Sequence, residues 1–152
     1  MSRLGRATLL WMIPVNLFLV AWVWIGRVVF GVAGWFFVLF MFSVVPVVLI
    51  ALLVTTILAY TQDGRPRSLT AFQAWSQILT WLGLFAFGAF MPDFGDTEDS
   101  QRSLLTQAFG YSDDLYSLGF AIAAVTGLGA IAAYLGLFCS LVFARRQVPA
   151  PV

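Results

Sequence analysis

Four carboxylates crowd the seven-residue stretch Asp93-Phe-Gly-Asp-Thr-Glu-Asp99, so Asp93, Asp96, Glu98 and Asp99 are the first residues whose type and spacing could do chemistry. Hard cations want several oxygen ligands, and Ca²⁺ is the guest such a cluster would suit. The spacing is not that of an EF-hand, because neither the turn glycine nor the distant bidentate glutamate falls in place. The expectation is therefore a solvated acidic loop without a metal, able to double as a docking surface for a partner. Arg27 is the second candidate. It is the only charge in the 54-residue apolar block from Ala7 to Tyr60. Two readings stand for it: its guanidinium snorkels to a membrane interface, or it pairs with a carboxylate of the acidic loop and ties the two segments together.

The third group is uncharged. Asn16, Ser43, Thr55, Thr56, Gln77, Thr80, Thr126 and Ser140 interrupt otherwise apolar runs. Asn16 and Gln77 carry the largest hydrogen-bonding heads. Asn16 falls about ten residues into the first run, close to its midpoint at 1.5 Å per residue. Interhelical hydrogen bonding is the expected role, with a substrate contact as the alternative. No charged residue accompanies these groups, so the titrating or ion-binding centre usual in coupled carriers is absent.

What is missing excludes more. There is no histidine, which removes histidine-ligated haem, the common zinc sites and the commonest general base. A single cysteine, Cys139, rules out an internal disulfide or a CxxC pair and reads as a small buried hydrophobe. No nucleophile–base pair or metal set can be assembled, so neither catalytic residues nor a cofactor are expected. The net charge of +1 offers nucleic acid no bulk attraction.

These residues must be positioned by helices in a bilayer. Of 152 residues, 61% are hydrophobic and 10% charged, and the mean hydropathy is +0.94. A soluble domain is about 25% charged, and one of this length could not bury so much apolar surface. The block from Ala7 to Tyr60 would be roughly 80 Å long as one helix, against a hydrocarbon core of about 30 Å. It must fold back, and Gly26, Gly31 and Gly34 put the reversal near 27–34. The predicted fold is an all-α membrane protein: a single domain over 1–152, built as a four-transmembrane-helix bundle. Its helices are expected at about 7–29, 35–60, 70–91 and 115–144, with an acidic loop at 92–114. Thr70 and Gln73 have the spacing of a capping box, and Pro92 stops the third helix. Pro14 and Pro46 are expected to kink the first two. The N-terminal run is too long and too rich in tryptophan for a cleaved signal peptide.

Charge sets the orientation. Arg3, Arg6, Arg65, Arg67, Arg145 and Arg146 fall on one side, and Arg27 and Arg102 on the other. The positive-inside rule then makes both termini cytoplasmic and leaves 92–114, with a net charge of −5, outside. Within that loop 103–110 is mildly amphipathic and suits a short surface helix. Trp75, Phe90 and Phe94 read as interfacial anchors.

The last helix carries small residues at Gly119, Ala123, Thr126, Ala130, Ala133 and Ser140, widened by Gly127, in alternating steps of four and three with Leu137 the one large member. Small side chains let backbones approach, so this is the expected packing or partner face. Phe120, Ile122, Leu128, Ile131, Leu135 and Phe138 face away from it. The absence of lysine among eight basic residues suits a GC-rich bacterial genome. The functional expectation is a small non-catalytic subunit, or scaffold or assembly partner, of a larger complex in the bacterial plasma (inner) membrane. Its partners would be the lipid bilayer and another membrane protein or itself. The alternative is an oligomeric pore or carrier for a small solute or cation.

Overall fold

The computed structural model describes residues 3–32, 34–62, 67–94 and 102–146. Within them the chain is helical, with one isolated antiparallel bridge between Asp93 and Arg102. Helix α1 spans Arg3–Ile25 and runs into a 3-10 segment, Gly26–Phe30. Helices α2 (Trp35–Phe42) and α3 (Val44–Tyr60) follow, then α4 (Ala71–Phe90), the short α5 (Leu104–Phe109) and the long α6 (Asp113–Arg146). Arg3–Phe30 and Asp113–Ala144 are each long and apolar enough to cross a membrane, and α2 with α3 makes a third such segment if the bent pair is one span.

Local sequence explains most boundaries. Gly31 closes the 3-10 segment in the left-handed region, φ 71°, where a side chain would be strained. Thr70 caps α4, its Oγ accepting from the Gln73 amide while the Gln73 side chain accepts from the Thr70 amide. Ser103 and Thr106 cap α5 in the same reciprocal way. Helix α1 runs Arg3–Ile25, about four residues earlier at each end than the expected 7–29, with the 3-10 segment taking its last turn, and the larger departure lies in the second segment. The helix predicted over 35–60 is broken at Ser43, where α2 and α3 meet at 41°. Pro46 brings no amide hydrogen to the first turn of α3, so the ladder cannot run through. The Ser43 hydroxyl donates back to the Leu39 carbonyl (2.6 Å), a bond that often accompanies a bend.

Burial follows the helical period. In α1 the buried residues are Gly5, Thr8, Leu9, Met12, Asn16, Leu19 and Val23, one stripe at steps of three and four. Helix α4 is sandwiched between α1 and α6. Two of its glycines permit this. A Cβ on Gly83 would sit 2.7 Å from Ala130 Cβ and 2.8 Å from the Thr126 carbonyl of α6, and one on Gly88 would sit 3.1 Å from Val23 Cα of α1. A core of Leu9, Met12, Ala59, Leu69, Ala74, Leu137 and Leu141 joins α1, α3, α4 and α6 at the end where α1 begins.

The polarity of α4 is inverted relative to a soluble helix. Gln73, Ser76, Gln77 and Thr80 are buried, whereas Phe72, Trp75, Leu79 and Leu82 are exposed.

Candidate functional site

Arg27 lies in the 3-10 segment just past α1, and Asp93 lies three residues past α4. The fold brings them together in the interior: each side chain is 1% exposed, and Arg27 Nε stands 3.6 Å from Asp93 Oδ2. Below the guanidinium is the ring of Phe40 from α2, with Cζ 4.4 Å from its centroid. The snorkelling expectation for Arg27 is thereby overturned. The 3-10 turn points the side chain inward, and a carboxylate and a ring face replace the water it would otherwise seek. No guanidinium nitrogen has a hydrogen-bond acceptor among the described residues; the ion pair and the ring carry the charge.

Asp93 does a second job with its other oxygen. Oδ1 accepts from the backbone amides of Phe36 (2.8 Å) and Phe94 (2.9 Å). Helix α2 starts at Gly34, which has no side chain to cap it, so a carboxylate from 57 residues downstream supplies the cap. The Trp35 amide donates to the Phe94 carbonyl (2.8 Å) alongside. Gly34 is required here, because a Cβ would lie against the Phe94 carbonyl and 2.8 Å from Asp93 Oδ1. The backbones of Asp93 and Arg102 exchange two hydrogen bonds, 2.8 and 3.1 Å, and the Tyr116 hydroxyl of α6 donates to the Asp93 carbonyl at 3.4 Å. One residue thus gathers α2, the 3-10 segment, α6 and its own loop. With Oδ1 on two amides and Oδ2 facing Arg27, neither oxygen is open to an outside substrate.

The rest of the acidic cluster, Asp96, Glu98 and Asp99, lies outside the described residues. Among the described residues there is no group of three or more His, Cys, Asp or Glu able to hold a metal ion. Sequence reasoning missed Phe40, the Phe36 amide and Tyr116. The signal for the cap was a helix start at Gly34 with no capping side chain of its own.

The second polar constellation joins three helices, near the midpoints of α1 and α4 and in the last third of α3. Asn16 of α1 donates through Nδ2 to Thr56 Oγ1 of α3 (2.9 Å) and accepts at Oδ1 from Trp81 Nε1 (2.7 Å) and Gln77 Nε2 (3.3 Å), both of α4. The Thr56 hydroxyl donates in turn to the Leu52 carbonyl at 2.7 Å. Asn16 is 6% exposed and Gln77 is fully buried. The Oε1 of Gln77 is the one side-chain atom of this set without a donor.

The small stripe of α6 is covered by α4. Ala123 and Ala130 are buried, Gly119 approaches Pro92 and the Phe90 carbonyl, and Gly127 approaches the Phe87 ring. Thr126 and Ser140 turn their hydroxyls back to their own helix, to the Ile122 and Leu137 carbonyls. Ala133 is half-buried. Leu137, the large member, is fully buried. Cys139 differs from expectation: it is exposed, because it lies two residues beyond Leu137 and so points away from the buried side. Leu128, Ile131 and Leu135 are exposed as well.

Comparison with known protein families, with curated proteins and with solved structures finds no match to this chain.

Proposed function

We propose that the chain is a multi-pass protein of the bacterial inner membrane, a bundle of four spans with both termini cytoplasmic, serving as a non-catalytic subunit or scaffold partner of a larger membrane complex. The fourth span in this reading is α4, which is 20 residues long, about the length a bilayer crossing needs. Its inverted polarity supports the assignment, since Phe72, Trp75, Leu79 and Leu82 face outward and a lipid phase is the solvent that favours them there. Antiparallel contacts of α1 with α3, such as Asn16 to Thr56, and of α4 with α6, such as Gly83 to Ala130, support alternating spans. Six arginines would then face the cytoplasm.

The observation that carries the subunit reading is where the interior polar groups are spent. The Arg27–Asp93 pair and the Asn16 set hold helices of this chain to one another, while the outward surface is broadly apolar. Such a body is suited to fixing the geometry of neighbours in a bilayer. The test is the particle recovered from native membranes in mild detergent. A heteromeric assembly of fixed stoichiometry is expected. A homo-oligomer that conducts small solutes in vesicles would favour the pore reading and overturn this one.

A further inference from the structure

At the end of the molecule where α1 begins, the charged side chains described are all arginines. Arg3 and Arg6 in the first turns of α1, and Arg67 in the segment leading into α4, are exposed. The Leu69 amide donates to the Gly5 carbonyl (3.4 Å), which sets that segment beside the first turn of α1 and gathers the three arginines at one end. Helix α6 finishes at this end too, since Leu137 and Leu141 share a core with Leu9 and Leu69. The carboxylates among the described residues are Asp93, Asp113 and Asp114. All three belong to the opposite end: Asp93 lies past α4, and the first turns of α6 hold Asp113, Asp114 and the Tyr116 that bonds Asp93. Among the described residues no ion pair involves Arg3, Arg6 or Arg67, so their mutual repulsion goes unrelieved within the chain.

The two arginines of α1 head a column. Arg3, Arg6, Leu10, Ile13 and Leu17 recur at steps of three and four and are all exposed, so they form one stripe on the side away from the buried residues. Charge gives way to hydrocarbon within about one turn, from Arg6 to Leu10, and every exposed residue of α1 from Ala7 to Ile25 is apolar. From Arg6 to Leu17 the column is about 16 Å long at 1.5 Å per residue. Half of a hydrocarbon core of about 30 Å is about 15 Å, the depth of one leaflet. An occupant must therefore bring an anion to the guanidinium groups and hydrocarbon to the turns just below. Nucleic acid has no such hydrocarbon, and a protein partner would find no exposed polar side chain on α1 beyond Arg6 to fix its register. A zwitterionic lipid would bring its own ammonium group to the arginines. Resting on the proposed membrane reading, we infer that this end binds an anionic phospholipid, its phosphate held by Arg3, Arg6 and Arg67 and an acyl chain lying along Leu10, Ile13 and Leu17.

The full chain is purified in mild detergent, offered equal amounts of palmitoyl-oleoyl phosphatidylglycerol and the phosphatidylcholine with the same chains, and weighed by native mass spectrometry. One arginine near an anionic lipid surface is worth about fivefold in binding, so three should give phosphatidylglycerol a preference of at least about tenfold. Replacing Arg3, Arg6 and Arg67 together by glutamine should lower that preference at least about fivefold, and replacing them by lysine, which keeps the charge, should preserve most of it. Arg102→Gln, exposed at the opposite end, should leave it unchanged. Glycerophosphoglycerol, the same headgroup without tails, should not displace the lipid at equal concentration. Equal retention of the two lipids by the wild-type chain overturns the proposal, as does a preference that survives the glutamine variant or is lost in Arg102→Gln. Displacement by the tailless headgroup, or an acidic protein held by these arginines in place of lipid, overturns it as well. The wild-type result stands whether or not the glutamine variant folds. An alkaline wash of native membranes separates the two levels. If the chain washes off, the membrane reading fails; if it stays in the membrane but shows no lipid preference, only the anionic-lipid proposal fails.

Discussion

Asp93→Asn is the sharpest perturbation of the clasp formed by the Arg27–Asp93 pair and the Asp93 cap on α2, because it removes the charge and keeps the shape. The asparagine oxygen can still accept from the Phe36 and Phe94 amides, so the cap on α2 survives and the buried guanidinium alone loses its counter-charge. At 3.6 Å and an effective dielectric of about 20, the pair interaction is roughly 4–5 kcal/mol. That agrees with the 3–5 kcal/mol typical of breaking a buried pair from one side. Arg27→Met should cost less than Asp93→Asn, because Asp93 keeps its two amide donors when the arginine is gone. The double variant Arg27→Met with Asp93→Asn should recover most of the loss, since it leaves no uncompensated charge. The assay is equilibrium unfolding in mixed micelles followed by helical circular dichroism, read as a double-mutant cycle. A coupling of about 3 kcal/mol or more between the two positions is expected. If both single variants lose less than about 1 kcal/mol and their effects add, the pair is no more than a surface-type contact and the reasoning fails.

The other predictions are simpler. Asn16→Leu strands the Trp81 and Gln77 donors and should cost about 1–3 kcal/mol, with a change in Trp81 fluorescence as the local readout. Gly83→Ala puts a methyl against the α6 backbone and should cost about 1–3 kcal/mol in the same unfolding assay, whereas Leu128→Ala, 67% exposed, should stay within about 0.5 kcal/mol. Reporter fusions after Arg146 and within 97–101 should read opposite sides of the membrane, and a C-terminal fusion read as external would remove the four-span topology. Calorimetric titration with Ca²⁺ should show no micromolar binding; binding abolished by Asp96→Asn would establish a metal site.

How much of this was legible without coordinates depends on range. The α4 capping box could be read because Thr70 and Gln73 are three residues apart and satisfy each other locally. The reversal after Arg27 could be read from glycine spacing. The break at Ser43 could be read only as a kink near Pro46, since its place depends on where the helical ladder resumes. The clasp was legible as a pairing of charges, but not as a cap, because the amide it serves lies 57 residues away. The α6 stripe announced a close approach without naming its partner. That information sits in Gly83, a single glycine in a helix that the aromatic residues dominate. Cys139 was misread because its type suggested burial and its phase on the helix did not.

The cap on α2 has a consequence for the order in which the chain is made. Arg27 leaves the ribosome 66 residues before Asp93, a delay of roughly 3–13 s at 5–20 residues per second. During that interval the first hairpin exists with its guanidinium unmatched and the α2 amides uncapped. On the membrane reading proposed above, a nascent chain in this state keeps Arg27 in contact with water at the interface, and the hairpin does not settle to its final depth. The arrival of Asp93 removes both faults at once. The hairpin is thus finished from downstream, and a fragment that stops short of residue 93 keeps an exposed mark of incompleteness by which a quality-control protease could tell it from the full-length protein.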